Sequence, residues 1–277
     1  MLDTGYYRDH ELSRKDIDGW SFVDENGSNF RDYNGHGTSV TSVINNNHKK
    51  LYGVAPEASI FSYKIQKKYK DLEAFIKALE RCAESDVDII SISYGFDKLD
   101  KASKKRLCES IKLNSNKLIV CAVGNLENKD KLDTQYPAMF LNTIGVGSVN
   151  EKGELAKKSS KSTAVSLVAP GDSLNLININ SSQLKPFQGT SYAVPFVAGV
   201  TALMVSYARR IKPNIPIAKW NIGEIIMDTA DFEPSMDKQL FGSGIINPIN
   251  AFQKLEKITF KGTFEKIVGV FGFPLPH

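Results

Sequence analysis

From residue 58 onward the chain alternates β-branched apolar runs with amphipathic stretches, the pattern of a parallel sheet covered by helices. The clearest helix covers 71–84. Leu72, Phe75, Ile76, Leu79 and Ala83 recur at i, i+3, i+4, i+7 spacing, while Asp71, Glu73, Lys77 and Glu80 take the opposite face. Its apolar stripe is expected to lie on the sheet. A strand over 87–93, a Lys-rich helix over about 100–114 and a buried strand over 118–123 follow, together a β-α-β unit with a right-handed crossover. Further strands are expected at 142–149 and 165–168, the second closed by the turn Ala169-Pro170-Gly171. After Ser191 the pattern changes. Val194, Val197, Ala198, Val200, Ala202, Leu203, Met204 and Val205 leave almost no polar face, which predicts a helix buried nearly all round. Pro195 fits such a helix only near its start, where the missing N–H has no intrahelical acceptor. Over 259–277 apolar and polar residues alternate (Phe260, Phe264, Ile267, Val268), which predicts a closing hairpin or a partner-binding tail, with packing on the domain the plainer expectation.

Composition narrows the class. A chain of 277 residues, 42% hydrophobic and 24% charged, has enough apolar residues for a sizeable core, which excludes disorder and disulfide mini-proteins. No Gly/Ser-rich or Pro-rich linker divides it, so one main domain over 1–255 is expected, with 256–277 a C-terminal extension for which packing on that domain is the plainer expectation. No run approaches the roughly 18 consecutive apolar residues of a membrane span. A net charge of +4, with basic clusters scattered along the chain, argues against a nucleic-acid surface. Cys82, Cys108 and Cys121 have no CxxC spacing and suggest neither a disulfide framework nor a zinc site. The first thirty residues are rich in charge and show no apolar signal segment, so the expected compartment is the cytoplasm if the chain is complete and the outside if an upstream segment is missing.

Three short stretches carry candidate chemistry: Asp3-Thr4-Gly5, Gly35-His36-Gly37-Thr38, and Gly189-Thr190-Ser191-Tyr192-Ala193 with Pro195. A serine hydroxyl is a poor nucleophile alone. It becomes a good one when bonded to an imidazole whose other nitrogen is held by a buried carboxylate. Singly, an Asp beside a Gly is a turn and a Ser before a helix is an N-cap. His36 stands out because glycine on both sides lets the backbone pass close to other groups, whereas His10, His48 and His277 lack that setting and are expected at the surface. Ser191 opens the buried helix, so its N–H points out of a helix N-terminus, where negative charge is favoured.

Through these motifs, in this order, the sequence resembles the subtilisin-like serine peptidases, the subtilases. The likeness extends to Gly53-Val54-Ala55-Pro56, Ser91 to Gly95, Val123-Gly124-Asn125, Tyr136-Pro137-Ala138, Ala169-Pro170-Gly171 and Gly242 to Asn247, and spans roughly residues 1–253. It implies an α/β, three-layer fold with a mostly parallel central sheet flanked by helices. It also implies Asp3 as orienting carboxylate, His36 as general base and then acid, Ser191 as nucleophile and Asn125 as side-chain donor to the oxyanion. Ser93, Tyr94 and Gly95 resemble the strand edge that pairs with an extended peptide. Ala122, Val123 and Gly124 would wall the pocket for the residue before the scissile bond, with Leu126 and Gln135 at its rim and floor. The implied activity is a serine endopeptidase working through an acyl-enzyme, with a leader- or pro-peptide processing role as the narrower version. Its partner is an extended peptide, it needs no cofactor, and a monomer is expected.

Two departures qualify the resemblance. The loop Asn45-Asn46-Asn47-His48-Lys49-Lys50 is short and basic where many relatives hold calcium, so no metal is expected there. Only Met1 and Leu2 precede Asp3, where the family has a central β-strand, so the N-terminal strand is expected to be largely missing and its neighbours' edges open. That departure motivates the alternatives: a catalytically silent peptide-binding protein of the same fold, or an N-terminally truncated product. An α/β-hydrolase is set aside because Ser191 lacks the G-x-S-x-G elbow.

Overall fold

The computed structural model describes residues 1–67, 70–125, 135–181, 183–216 and 220–271, the last twelve of these by their backbone. In chain order the elements are β1 (Leu2–Asp3), β2 (Asp18–Ser21), α1 (His36–Ile44), the hairpin β3 (Asn47–His48) and β4 (Leu51–Tyr52), β5 (Phe61–Lys64) and α2 (Leu72–Ala83). Then come β6 (Ile89–Ile92), α3 (Lys101–Leu113), β7 (Leu118–Ala122), β8 (Ile144–Val149), β9 (Leu167–Pro170) and the hairpin β10 (Leu174–Ile177) with β11 (Leu184–Phe187). Helices α4 (Thr190–Ile211), α5 (Ile222–Asp228), α6 (Lys238–Phe241) and α7 (Pro248–Phe271) follow among the described residues.

Seven strands form one sheet in the order β2-β5-β1-β6-β7-β8-β9, and every neighbouring pair is parallel. Side-chain alternation along these strands separates two cores. Ile119 and Cys121 of β7 join Phe75, Leu79, Leu107 and Ile111 from α2 and α3, whereas Val120 and Ala122 join Val194, Val197, Val200 and Met204 of α4 on the other face. The α/β three-layer expectation is met. Asp71 caps α2 by accepting from the Ala74 N–H at 3.0 Å, so the amphipathic stretch starts where its pattern predicts.

β1 has two residues, yet it occupies the middle of the sheet. Leu2 lies opposite Tyr63 on one side and Ile92 on the other, and Asp3 opposite Lys64. The Met1 ammonium donates to the Phe61 carbonyl at 2.9 Å, Tyr63 N–H to Met1 at 2.8 Å and Ile65 N–H to Asp3 at 2.9 Å. On the β6 side only Ile92 is in register with this strand, whereas the β5 edge is paired along the whole stretch, and two residues suffice to seat Asp3 at the carboxyl end of the sheet.

Three expectations are corrected. Residues 259–271 are not a hairpin but the end of α7, which runs unbroken through 255–256. Asn247 caps it through the Asn250 N–H at 3.0 Å, and Ala251, Leu255 and Thr259 are buried at four-residue spacing, a helical period that outweighs the apparent alternation. Pro195 lies at the sixth position of α4, past the first turn, so its missing N–H does cost an intrahelical bond, to the Ser191 carbonyl. His10 is buried rather than exposed: its Nδ1 accepts from the Leu12 N–H at 3.1 Å, which leaves Nε2 to donate to the Ser181 carbonyl at 2.8 Å. Helix α4 is the one helix among the described residues long and apolar enough to cross a membrane, but 67% of that apolar window is buried inside the domain, as a core helix requires.

Candidate active site

Asp3, His36, Ser191 and Asn125, from four separate segments, line one cleft of about 310 Å³ at the carboxyl ends of the central strands. Ser93, Tyr94, Gly95, Ala122 and Gly124 line it too. Val123 does not: it is fully buried, with its side chain in the core beside Ile119 and Cys121. The Tyr94 ring also packs inward, against Phe75 at 5.9 Å, so this residue offers its backbone to the cleft. Leu126 lies outside the described residues.

The carboxylate and imidazole are tightly joined. His36 Nδ1 donates to Asp3 Oδ1 at 2.7 Å, and the same oxygen accepts from the Thr4 N–H at 2.8 Å. That bond fixes the tautomer with the proton on Nδ1 and the Nε2 lone pair free. Asp3 is almost completely buried, and its Oδ2 has no hydrogen-bond partner among the described residues. Burial pushes the His36 imidazole down, but the charge of Asp3, its hydrogen bond and the charge of Asp32 outweigh this, so the ring titrates above its ordinary value.

The flanking glycines have separate reasons. Gly35 sits at φ +96°, as the residue before α1, and a Cβ on Gly37 would lie 2.2 Å from the Gly5 carbonyl. The buried Asp32, which no sequence motif marks, organises this corner. Its Oδ1 accepts from the Thr4 hydroxyl at 2.9 Å, the Asn34 N–H at 2.9 Å and the Gly35 N–H at 2.8 Å. Its Oδ2 accepts from the Thr38 N–H at 2.9 Å and the Thr38 hydroxyl at 2.7 Å. Thr4 in turn accepts the Gly37 N–H at 2.9 Å, so one carboxylate ties the segment after Asp3 to the start of the helix that carries His36.

Ser191 is the second residue of α4, after Gly189 at the N-cap position, and its N–H is among the first four that a helix leaves without an intrahelical acceptor. Two bonds join it to β6. The Ser191 carbonyl, released by Pro195, accepts from the Ser93 hydroxyl at 2.6 Å, and the Ser191 hydroxyl donates to the Ser93 carbonyl at 3.3 Å. The hydroxyl is therefore turned to the backbone rather than bonded to His36, whose ring packs near Tyr192 at 5.6 Å. Asn125 follows β7, and its Oδ1 accepts the Thr190 N–H at 2.9 Å. With the oxygen so held, the amide's Nδ2 donor is the part left to the cleft.

The loop over 45–50 forms the β3–β4 hairpin, with Lys49 and Lys50 at its turn. Among the described residues no group of three or more His, Cys, Asp or Glu side chains converges to hold a metal.

This arrangement invites comparison with known proteins. A sequence model of the subtilase family matches residues 1–244. The major intracellular serine protease of Bacillus subtilis (strain 168) is 35% identical over 220 residues, covering 75% of this chain and 67% of that protein. The intracellular serine protease of Paenibacillus polymyxa is 33% identical over 246 residues, 78% of this chain and 73% of the relative. Among solved structures, a lanthipeptide protease superposes with a TM-score of 0.78 at 23% identity, covering 92% of this chain and 86% of its own. The prenylagaramide maturation protease PagA gives 0.75 at 21% identity, with 92% of each chain covered. The motif residues meet in one cleft, the fold is that of these structures and the family match runs through most of the length: the chain belongs to the subtilase family of serine proteases.

Proposed function

We propose that this protease cleaves an extended peptide through an acyl-enzyme on Ser191. The observation that carries the reading is the 2.7 Å bond from His36 Nδ1 to buried Asp3, in the same cleft as a serine at a helix N-terminus. Rotation about χ1 takes the Ser191 hydroxyl from the Ser93 carbonyl toward His36. As Oγ bonds to the peptide carbonyl carbon, its proton passes to Nε2, and Asp3 steadies the imidazolium. The oxyanion is met by the Asn125 amide and the Ser191 N–H, both fixed before substrate arrives. Collapse expels the amine, which takes the proton back from His36. A water then repeats the sequence on the ester, releasing the acid and restoring Ser191.

The peptide strand pairs along the Ser93–Gly95 edge, where an incoming N–H competes with the Lys70 ammonium, which donates to the Gly95 carbonyl. A precursor peptide is the substrate class we favour. Its support is the fold shared with two proteases whose names place them in lanthipeptide and prenylagaramide chemistry.

A silent peptide binder of the same fold is favoured by one observation, the hydroxyl turned to Ser93. Intact-mass labelling with a fluorophosphonate separates the two. One adduct, absent in Ser191→Ala and His36→Ala, establishes an activated serine. A folded protein that takes no label overturns the proteolytic mechanism.

A further inference from the structure

The slot beside the candidate nucleophile is already filled by a side chain of the chain itself. Its two walls are the segments after β6 and β7, and each contains a glycine that faces the same side chain, Gln135. A Cβ added to Gly95 would lie 2.6 Å from Gln135 Oε1 and 2.8 Å from its Cβ. One added to Gly124 would lie 2.9 Å from both Gln135 Cγ and Cδ. Gln135 therefore spans from one wall to the other, in contact distance of both backbones. The glycines are needed to admit it, Gly124 also because its φ is +106°.

Gln135 is held there from two directions. Tyr136, next in the chain, exchanges both backbone hydrogen bonds with Phe96 at 2.9 and 3.0 Å, which fixes the backbone at the wall. The side-chain amide donates to Asp97 Oδ1, and Asp97 lies 3.9 Å from the Lys70 ammonium. A substrate side chain entering the slot has to fit in what Gln135 leaves, or displace it and break that bond.

We propose that Gln135 sets the cleavage preference, restricting the residue before the scissile bond to Gly, Ala or Ser. The inference rests on the proteolytic reading above, since only then does the slot receive that residue. A packed slot discriminates by the methylenes it refuses, roughly tenfold or more for a side chain that does not fit.

The test is a series of otherwise identical fluorogenic peptides with Gly, Ala, Leu or Phe at that position, on the wild-type chain and on Gln135→Gly and Gln135→Ala, each first titrated with a fluorophosphonate to count active sites. The expected wild-type kcat/KM favours Ala over Phe by about tenfold or more. Both variants are expected to raise the Phe-to-Ala ratio by at least about tenfold, the glycine more than the alanine. A labelled wild-type enzyme that takes Phe or Leu as readily as Ala overturns the inference and leaves the protease standing, as does a ratio unmoved in both labelled variants. A folded wild type that neither takes the label nor cleaves any peptide overturns both.

Discussion

The two halves of the site are built to different tolerances. Around His36, Asp32 accepts five hydrogen bonds of 2.7–2.9 Å and Asp3 holds the ring at 2.7 Å, so the imidazole has one position and one tautomer. Around Ser191 the backbone is as firm, tied to Ser93 at 2.6 Å and to Asn125 through Thr190 at 2.9 Å, but the hydroxyl itself rests on a 3.3 Å bond. Orienting an imidazole takes a buried carboxylate and a network behind it, because a ring placed wrongly presents the wrong nitrogen. A hydroxyl needs only a rotamer change to reach its base, so a weak resting contact is cheap to break. Catalytic hydrogen bonds of this kind are often loose until substrate arrives. The comparison predicts that loss of the Ser191 hydroxyl falls on rate alone, and damage on the Asp32 side on both rate and stability.

The largest effect removes the proposed nucleophile. Ser191→Ala is expected to lower kcat by about 10⁶-fold, a magnitude known for subtilisin, of this same family, rather than derived from this structure. The fold is expected to survive, because the two backbone ties through Ser93 and Thr190 do not involve Oγ, apart from the weak 3.3 Å bond. Burst titration and a thermal melt read the two. Asn125→Ala comes next. It is expected to cost about 10²–10³ in kcat with KM little changed, again a value whose reference case is subtilisin. It also leaves the Thr190 N–H without its acceptor, so a fall in melting temperature is expected here and not in Ser191→Ala. A loss confined to KM would deny Asn125 its part in the transition state.

Asp32 sharpens the contrast. Asp32→Ala removes the acceptor of five donors in a buried corner, and about 2–4 kcal/mol of stability is expected to go with it, measured by urea unfolding. Because the same carboxylate fixes the start of α1, kcat is expected to fall by roughly 10²-fold as His36 loses its place, although Asp32 touches no reacting atom. Unchanged stability would mean the corner is held by α1 alone.

What the sequence discloses follows the range over which each feature acts. The β-α-β units and helix α2 are legible because periodicity and a local cap decide them within about a dozen residues. The motif residues are legible because close backbone passage leaves glycine as the workable neighbour, as Gly37 against the Gly5 carbonyl shows. Asp32 is hidden because Asp-x-x-Gly reads as a turn, and only the fold brings Thr4 to it from 28 positions away. The bond from Ser93 to the Ser191 carbonyl is hidden for the same reason, across 98 positions, and so is the consequence of Pro195. His10 finds its partner 171 residues away, which no local pattern announces. The motif places Val123 at a pocket wall, whereas strand alternation sends its side chain into the core.

The smallest predicted effect reads the charge of Asp32 through the titration of His36. In the proposed mechanism His36 must be neutral to accept the Ser191 proton, so kcat/KM is expected to rise with pH through the His36 value, with the acid limb above the ordinary 6.5. The sign for stability is opposite. A histidine raised in the folded state stabilises it in full below 6.5, and that contribution is lost as pH climbs through the folded value, so activity appears over the window in which this share of stability disappears. Asp32 is one of the charges that raise the ring, behind the charge and hydrogen bond of Asp3. Asp32→Asn removes the charge and turns one of the two accepting oxygens into an amide donor, which at Oδ2 would leave the Thr38 N–H without its acceptor, and the acid limb is expected to move down in pH. A merely structural role would lower kcat and leave the limb where it was. The pH profile of kcat/KM in that variant therefore tells whether the rigid half of the site sets only where His36 stands or also when it is a base.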